Sequence, residues 1–233
     1  MDFYVQMHLH TADTSRCGED SAENMARACK KAGYDLLVVT DHFMNANIRV
    51  SPGMTWPQKV EALMKGYRAA KAEGDKIGLN VLFGWETYTS GPEYLTYGLG
   101  EEFLLKNPDI DRLPPREYLR AVRSAGGFVS HAHPFREAYY IPSFTPLTGE
   151  IDAIEVYNAG NDDSAWNKKA LALARKTGLI ELAGSDAHDV SRVMYGAVRL
   201  DRPARTMEEL IALLRERRGR VVERMPERAR GAV

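Results

Sequence analysis

Phe3-Tyr4-Val5-Gln6-Met7-His8-Leu9-His10 opens the chain, a helical run from Asp20-Ser21-Ala22-Glu23 to Gly33 follows, and Leu36-Leu37-Val38-Val39-Thr40-Asp41-His42 comes next. Phe3–Leu9 reads as a strand. Asp20 with Glu23 reads as a capping box, in which an acceptor side chain and a glutamate three residues later satisfy free amides at a helix start. Met25, Ala26, Cys29 and Ala32 then share one face, and Gly33 suits the helix end. The run Leu36–Thr40 is apolar and β-branched, as in a parallel strand buried on both faces. This is a strand–helix–strand unit.

The alternation continues. Pro57 suits the first turn of a helix running to Gly74, and Asn80–Phe83 is a strand ending at Gly84-Trp85-Glu86. Tyr94–Leu99 is a further strand, and Pro114-Pro115 open a helix that stops at Gly126. Phe128–His131, Ala153–Tyr157 and Ile180–Ala183 are strands, Ala165–Thr177 is a helix, and Thr206-Met207-Glu208-Glu209 is a second capping box. Repeated strand–helix units predict an α/β fold with helices outside a parallel sheet, and about seven strands suffice to close a TIM-like barrel. An open doubly wound sheet is the alternative. No Gly-x-Gly-x-x-Gly follows the first strand, so a dinucleotide site has no local support.

The 233 residues suit one domain, read here as 1–233 with a short basic tail from about 219. Lys+Arg is 31 and Asp+Glu 32, a balance that argues against a dedicated nucleic-acid binder. Between Arg215 and Arg230 the charge is locally basic, and a solvated helix with a frayed tail is the simpler reading than a nucleic-acid arm. No apolar run approaches a membrane span, and no basic-then-apolar leader opens the chain. Cys17 and Cys29 are too few for a disulfide framework, which fits a reducing cytoplasm.

Six histidines carry the functional signal. His8 and His10 end the first strand, His42 follows the second, His131 and His133 end the fifth, and His188 follows Asp186 after the last core strand. In a (β/α) barrel those strand ends meet at one mouth, where active sites are built. Strand side chains alternate faces, so His8 pairs with His10 and His131 with His133. His42 is then the ligand and its neighbour Asp41 either a partner that orients a ligand or a loop anchor. Imidazoles with Glu86 and Asp186 suit Zn, Mn or Fe, one to three ions per chain. A single histidine is more often packing than ligand; the joint pattern favours a metal site.

Five motifs then match a known family. His8-Leu9-His10-Thr11, Thr40-Asp41-His42, Gly84-Trp85-Glu86, Ala132-His133-Pro134 and Gly184-Ser185-Asp186-Ala187-His188 resemble, in order, those of the PHP (polymerase and histidinol phosphatase) superfamily. The resemblance implies a distorted (β/α)7 barrel and a metal-dependent phosphoesterase, in which metal-bound hydroxide attacks phosphorus. It implies one ion on His8, His10, Glu86 and Asp186, a second shared by Glu86 with His133, and a third on His42 and His188. Two positions depart from the pattern. Glu93-Tyr94-Leu95 stands where many members carry a histidine, with Tyr94 in its place, and in Thr14-Ser15-Arg16-Cys17-Gly18 Arg16 takes the place of a usual ligand. The expectation is that His131 substitutes at the second ion.

Arg16, Arg136 and Arg192 are the candidates to hold phosphate, since guanidinium offers two parallel donors. Asp186, His42 and His188 are the catalytic candidates, with His42 or His188 protonating the leaving oxygen. Asn158 either orients water or caps the next helix; the cap is favoured. Trp56, Trp85, Tyr88, Tyr139 and Tyr140 either stack on substrate or pack. The expected partner is a small-molecule phosphate ester, with no membrane; the oligomeric state is open. Two rivals stand beside this reading: an amidohydrolase-type metallohydrolase, and a non-catalytic metal-binding module of the same fold.

Overall fold

The computed structural model describes residues 2–139, 141 and 146–226. In chain order the elements are β1 (Phe3–Gln6), α1 (Ala22–Ala32), β2 (Leu36–Val39), α2 (Trp56–Ile77), β3 (Asn80–Tyr88) and β4 (Glu93–Tyr97). Then come α3 (Glu101–Lys106), α4 (Pro115–Ser124), β5 (Phe128–His131), β6 (Ala153–Asn158), α5 (Ser164–Thr177), β7 (Ile180–Gly184), β8 (Tyr195–Leu200), α6 (Met207–Arg215) and β9 (Gly219–Arg224). The strands form one sheet in the order β7-β6-β5-β4-β3-β2-β1-β8-β9. Among the described residues no helix is long and apolar enough to cross a membrane.

The sheet is a nearly closed barrel. β1, β2 and β3 are parallel, as are β5, β6 and β7. Closure is made beyond β1 and β7, where Leu9 bridges Ala187, Asp186 N donates to His8 O at 2.9 Å and His10 N to Ala187 O at 3.0 Å. Gly184 permits this approach, because an added Cβ would collide with the His8 side chain. The antiparallel pair β8–β9 continues the sheet beside β1.

Three features depart from the sequence reading. β4 is antiparallel to β3 and β5, because only residues 89–92 join β3 to β4, and so short a connection makes a hairpin rather than a crossover. The stretch from 219 is not a tail at first: Gly219–Arg224 pairs with β8 as β9. Ser21, not Asp20, caps α1 by accepting from Asn24 N, while Asp20 accepts from Val190 N. Tyr140, Pro142 and the last residues of the basic stretch, from Glu227 on, lie outside the described residues.

Apolar faces hold the helices to the barrel. α1 buries Met25, Ala26 and Cys29, and α6 buries Leu210, Ile211, Leu213 and Leu214; each large side chain contributes about 1.5–3 kcal/mol when fully buried. α2 passes close behind the mouth. An added Cβ at Gly66 would strike Thr11 Oγ1 and lie 2.5 Å from Asp41 Oδ2. Overpacking there costs about 1–3 kcal/mol, more than the roughly 1 kcal/mol that alanine gains in a helix. Gly66→Ala is therefore expected to lower unfolding free energy by about 1–2 kcal/mol in urea denaturation; a more stable variant would contradict this packing.

Candidate metal centre

β1 is extended by the closing hydrogen bonds, so alternation persists through residue 10. Leu9 points into the apolar layer with Met25 and Val39, and His8 and His10 point into the mouth. Their Nε2 atoms are 3.1 Å apart. Glu86 lies inside β3 rather than after it, and its carboxylate is the centre of the site. Oε1 faces His8 Nε2 at 3.3 Å and His133 Nε2 at 3.0 Å; Oε2 faces His10 Nε2 at 3.5 Å and His42 Nδ1 at 3.0 Å. Asp186 Oδ1 is 3.4 Å from His8 Nε2 and 3.2 Å from His10 Nε2.

These spacings test the fit of an ion. Donor atoms about 2.0–2.2 Å from one divalent ion lie roughly 3.0–3.5 Å from each other. The His8 and His10 Nε2 atoms lie 3.1–3.5 Å from each other and from the nearer carboxylate oxygens of Glu86 and Asp186. His8, His10 and Asp186 converge on a common point with Glu86 beside it, and all four are buried and of the N/O type that such ions prefer, so the residues fit.

Two backbone irregularities aim the remaining groups. His133 has φ 28° and Asp186 φ 51°, sparsely populated for residues with a Cβ. At His133 the chain has left the extended geometry of β5, so the alternation that would pair it with His131 has ended. His131 stays in β5 opposite Tyr94, with ring centroids 4.9 Å apart, and does not join the cluster. The residue that does is Glu93, whose Oε2 is 3.6 Å from His133 Nε2 and which groups with His42 and Glu86. Burial, then the Glu86 charge, raises its carboxyl to about 7.

The loop after His10 is held by Asp41, which accepts from Thr11 N, Thr11 Oγ1 and Ser15 Oγ at 2.7–2.8 Å. Burial dominates there and raises its carboxyl to about 6. Arg16 does not enter the mouth: its guanidinium donates to Ile48 O and Val50 O. Its neighbour Cys17 lies on the side of His188 and His42. Burial would raise the thiol, yet those two imidazoles bring it down to about 6. His10, His42 and His188 form a second imidazole group, with His10 4.3 Å from His42 and 4.4 Å from His188 between ring centroids.

Arg136 reaches the mouth, donating to Asp186 Oδ2 at 2.7 Å and Asn158 Oδ1 at 2.9 Å. Arg192 is exposed in the loop before β8. Asn158 does not cap α5; Asp163 does. Instead Asn158 donates to Glu155 Oε2 and Asp186 Oδ2. Glu155, unremarked in the sequence reading, accepts from His133 N and pairs with His8 Nδ1 at 2.9 Å, fixing which His8 nitrogen faces the centre. A carboxylate amid the apolar residues of β6 was the available signal. Of the aromatic candidates, Trp85 is core and Trp56 donates to Leu104 O, whereas Tyr139 is exposed.

Electrostatics follow from this packing. Burial disfavours a charge on His8, but Glu155, Asp186 and Glu86 outweigh it and hold the imidazole well above its usual value. Burial and the charges of His42 and His188 push His10 well below. Burial would raise Asp186, but His8 and Arg136 hold it well below the carboxylate range.

A family model described as PHP-associated matches residues 164–218. The five motifs that build the mouth resemble those of the PHP superfamily in order, and this segment is similar to its PHP-associated model. An uncharacterized protein of Methanocaldococcus jannaschii is 25% identical over 178 residues, 72% of this chain and 88% of its own. The fold is similar to a two-domain Bacteroides vulgatus protein containing a predicted PHP-like metal-dependent phosphoesterase, at TM-score 0.72 and 14% identity, over 96% of this chain. This chain spans 65% of that protein's length. It is also similar to a lesion-specific endonuclease of Pyrococcus furiosus, at TM-score 0.64 and 14% identity, over 93% of this chain and 56% of the other.

The placement of His131 is testable. Burial and the nearby His133 lower it to about 3, so the unfolded state, near 6.5, takes up a proton that the folded state refuses. This histidine's stabilising contribution is present above 6.5 and is lost as pH falls from there towards 3. Between pH 7 and 5 the loss is about 2 kcal/mol. His131→Phe is expected to keep its bound ions by elemental analysis and to be about 2 kcal/mol less sensitive to that pH step in urea denaturation of metal-free protein. Loss of an ion, or unchanged acid sensitivity, would contradict the placement.

Proposed function

We propose that this protein is a PHP-type metal-dependent phosphoesterase acting on a small phosphate ester. The observation that carries the reading is Glu86, whose two oxygens each face two imidazole nitrogens, giving adjacent ion positions that share one carboxylate. Divalent ions bound there supply an activated water and positive charge for the phosphoryl oxygens. His8, His10, Glu86 and Asp186 hold the first position. Glu86, His133 and Glu93 hold the second, with Glu93 doing what was expected of His131. His42 and His188 line a third.

Arg136 supplies the phosphate contact. Its guanidinium is anchored by Asp186, Asn158 and Asn161, which fixes the fork at the edge of the mouth before substrate arrives. Arg16 is tied to backbone carbonyls and has no such part. The balanced net charge favours a small ester over a long nucleic acid.

The test is phosphate release from aryl phosphate mono- and diesters with Mn, Zn or Fe(II) added to chelator-treated protein. Activity is expected to require the ion. Asp186→Asn should lower it by more than about 100-fold, beyond the 10–100-fold typical of groups one layer out from a metal. Arg136→Ala should lower kcat/KM by roughly 10–100-fold, the worth of a charge-assisted hydrogen bond. Ion binding without phosphate release, or cleavage of cyclic amides in its place, would overturn the assignment.

A further inference from the structure

Arg136 sits in the loop after β5, and the groups that hold it reach back to a helix. Asn167 lies in the opening turn of α5, which Asp163 caps and which buries Ala170 and Ala174. Its Oδ1 accepts from Asn158 N at 3.1 Å and from Asn161 Nδ2 at 2.7 Å, and its Nδ2 donates to Asn158 O at 3.2 Å. Asn161 Oδ1 in turn accepts from Arg136 Nε at 3.0 Å. Gly160 seats this turn against the guanidinium: an added Cβ would lie 3.1 Å from Arg136 Nη2, Asn158 Oδ1 and Asp186 Oδ2.

The polarity of each link is forced by the groups that have no choice. Asn158 N only donates and Asn158 O only accepts, so the Asn167 amide has one orientation. Its oxygen requires the NH2 of Asn161, which leaves Asn161 Oδ1 for the arginine, a donor only. Asn158 is set in the same way. Gly160 N donates to its Oδ1 at 2.7 Å, so Oδ1 faces Arg136 Nη2 and Nδ2 faces Glu155 and Asp186. The guanidinium is thus held at Nε and Nη2 by amide oxygens whose orientation is set from α5.

We propose that Asn161 and Asn167 are positioning residues for Arg136, an amide relay from α5 that sets the guanidinium before a phosphate arrives. The inference rests on the phosphoesterase reading, in which Arg136 holds phosphate, and adds to it the residues that make this grip effective. A long side chain on a loop loses rotamer freedom when it closes on a ligand; one already held loses less, so the ligand binds more tightly. The reference point of the relay is a helix, more precise than the loop that carries the arginine. The side-chain hydrogen bonds of Asn161 and Asn167 run to Arg136, to the Asn158 backbone and to each other. Loss of either amide therefore acts on phosphate and leaves the ions in place.

Titration of inorganic phosphate into the full chain loaded with stoichiometric Zn²⁺, read by phosphorus NMR so that weak affinities are measured, provides the test. Asn161→Ala and Asn167→Ala are each expected to keep their ions by elemental analysis and to weaken phosphate about three- to tenfold, the worth of one hydrogen bond. Both side chains are partly exposed, so the variants are expected to fold. The deciding readout is made in the Arg136→Ala background. There either substitution should change phosphate affinity by less than about twofold, because the relay acts through the guanidinium. A general structural role would weaken binding equally with and without Arg136. Unchanged affinity in Asn161→Ala and Asn167→Ala, an undiminished loss in the Arg136→Ala background, or loss of an ion would overturn the relay and leave the phosphoesterase reading standing. Wild-type protein that holds no ion, or holds its ions and binds no phosphate, would overturn both.

Discussion

Glu86 is buried in β3, and a carboxylate in that position costs several kcal/mol unless its charge is met. Four imidazole nitrogens meet it, two on each oxygen, and they come from three separate segments of the chain. The barrel is what makes this convergence available. His8 and His10 arrive on the extension of β1, His42 on that of β2 and His133 beyond β5. Glu155 and Asn158, on β6, then fix the orientation of His8, His133 and Asp186. Without a cation the cluster is balanced by holding His8 protonated between three carboxylates. A divalent ion held by these residues would take the place of that proton and link ion affinity to pH.

The closing contacts of the barrel and the site are the same contacts. Asp186 N and His10 N make the hydrogen bonds that join the strand ends across the seam, and the side chains of those residues are proposed ligands. The left-handed backbone at Asp186 and His133 is stabilised by this packing and aims each side chain inward. Such conformations cost about 1–3 kcal/mol each and persist where surrounding structure over-determines them. Gly66 and Gly184 matter for a related reason: each lets a helix or strand approach a site residue more closely than a Cβ would permit.

Much of this was legible in the sequence. The apolar runs and capping boxes located most strands and helices, and the histidines at strand ends located the mouth. Alternation worked for His8 and His10 because the chain stays extended there. It failed for His131 and His133 because His133 leaves the strand, a backbone event that no side-chain period records. Glu93 was passed over because a histidine is the residue type expected near its place, although its carboxylate groups with His42 and Glu86. β4 reads as a strand from composition, but its direction is set by the four residues that precede it. The strand β9 was hidden by charge: Arg and Glu dominate Gly219–Arg224, and its pairing with β8 depends on backbone rather than on an apolar pattern.

The central claim is that Glu86 organises adjacent ion positions. Anomalous diffraction from crystals loaded with Mn²⁺ or Zn²⁺ tests it most directly. The account predicts one ion within about 2.0–2.3 Å of His8, His10 and Asp186, and a second at His133 and Glu93, with Glu86 bound to both. Ordered ions elsewhere on the chain, with none contacting Glu86, would contradict it.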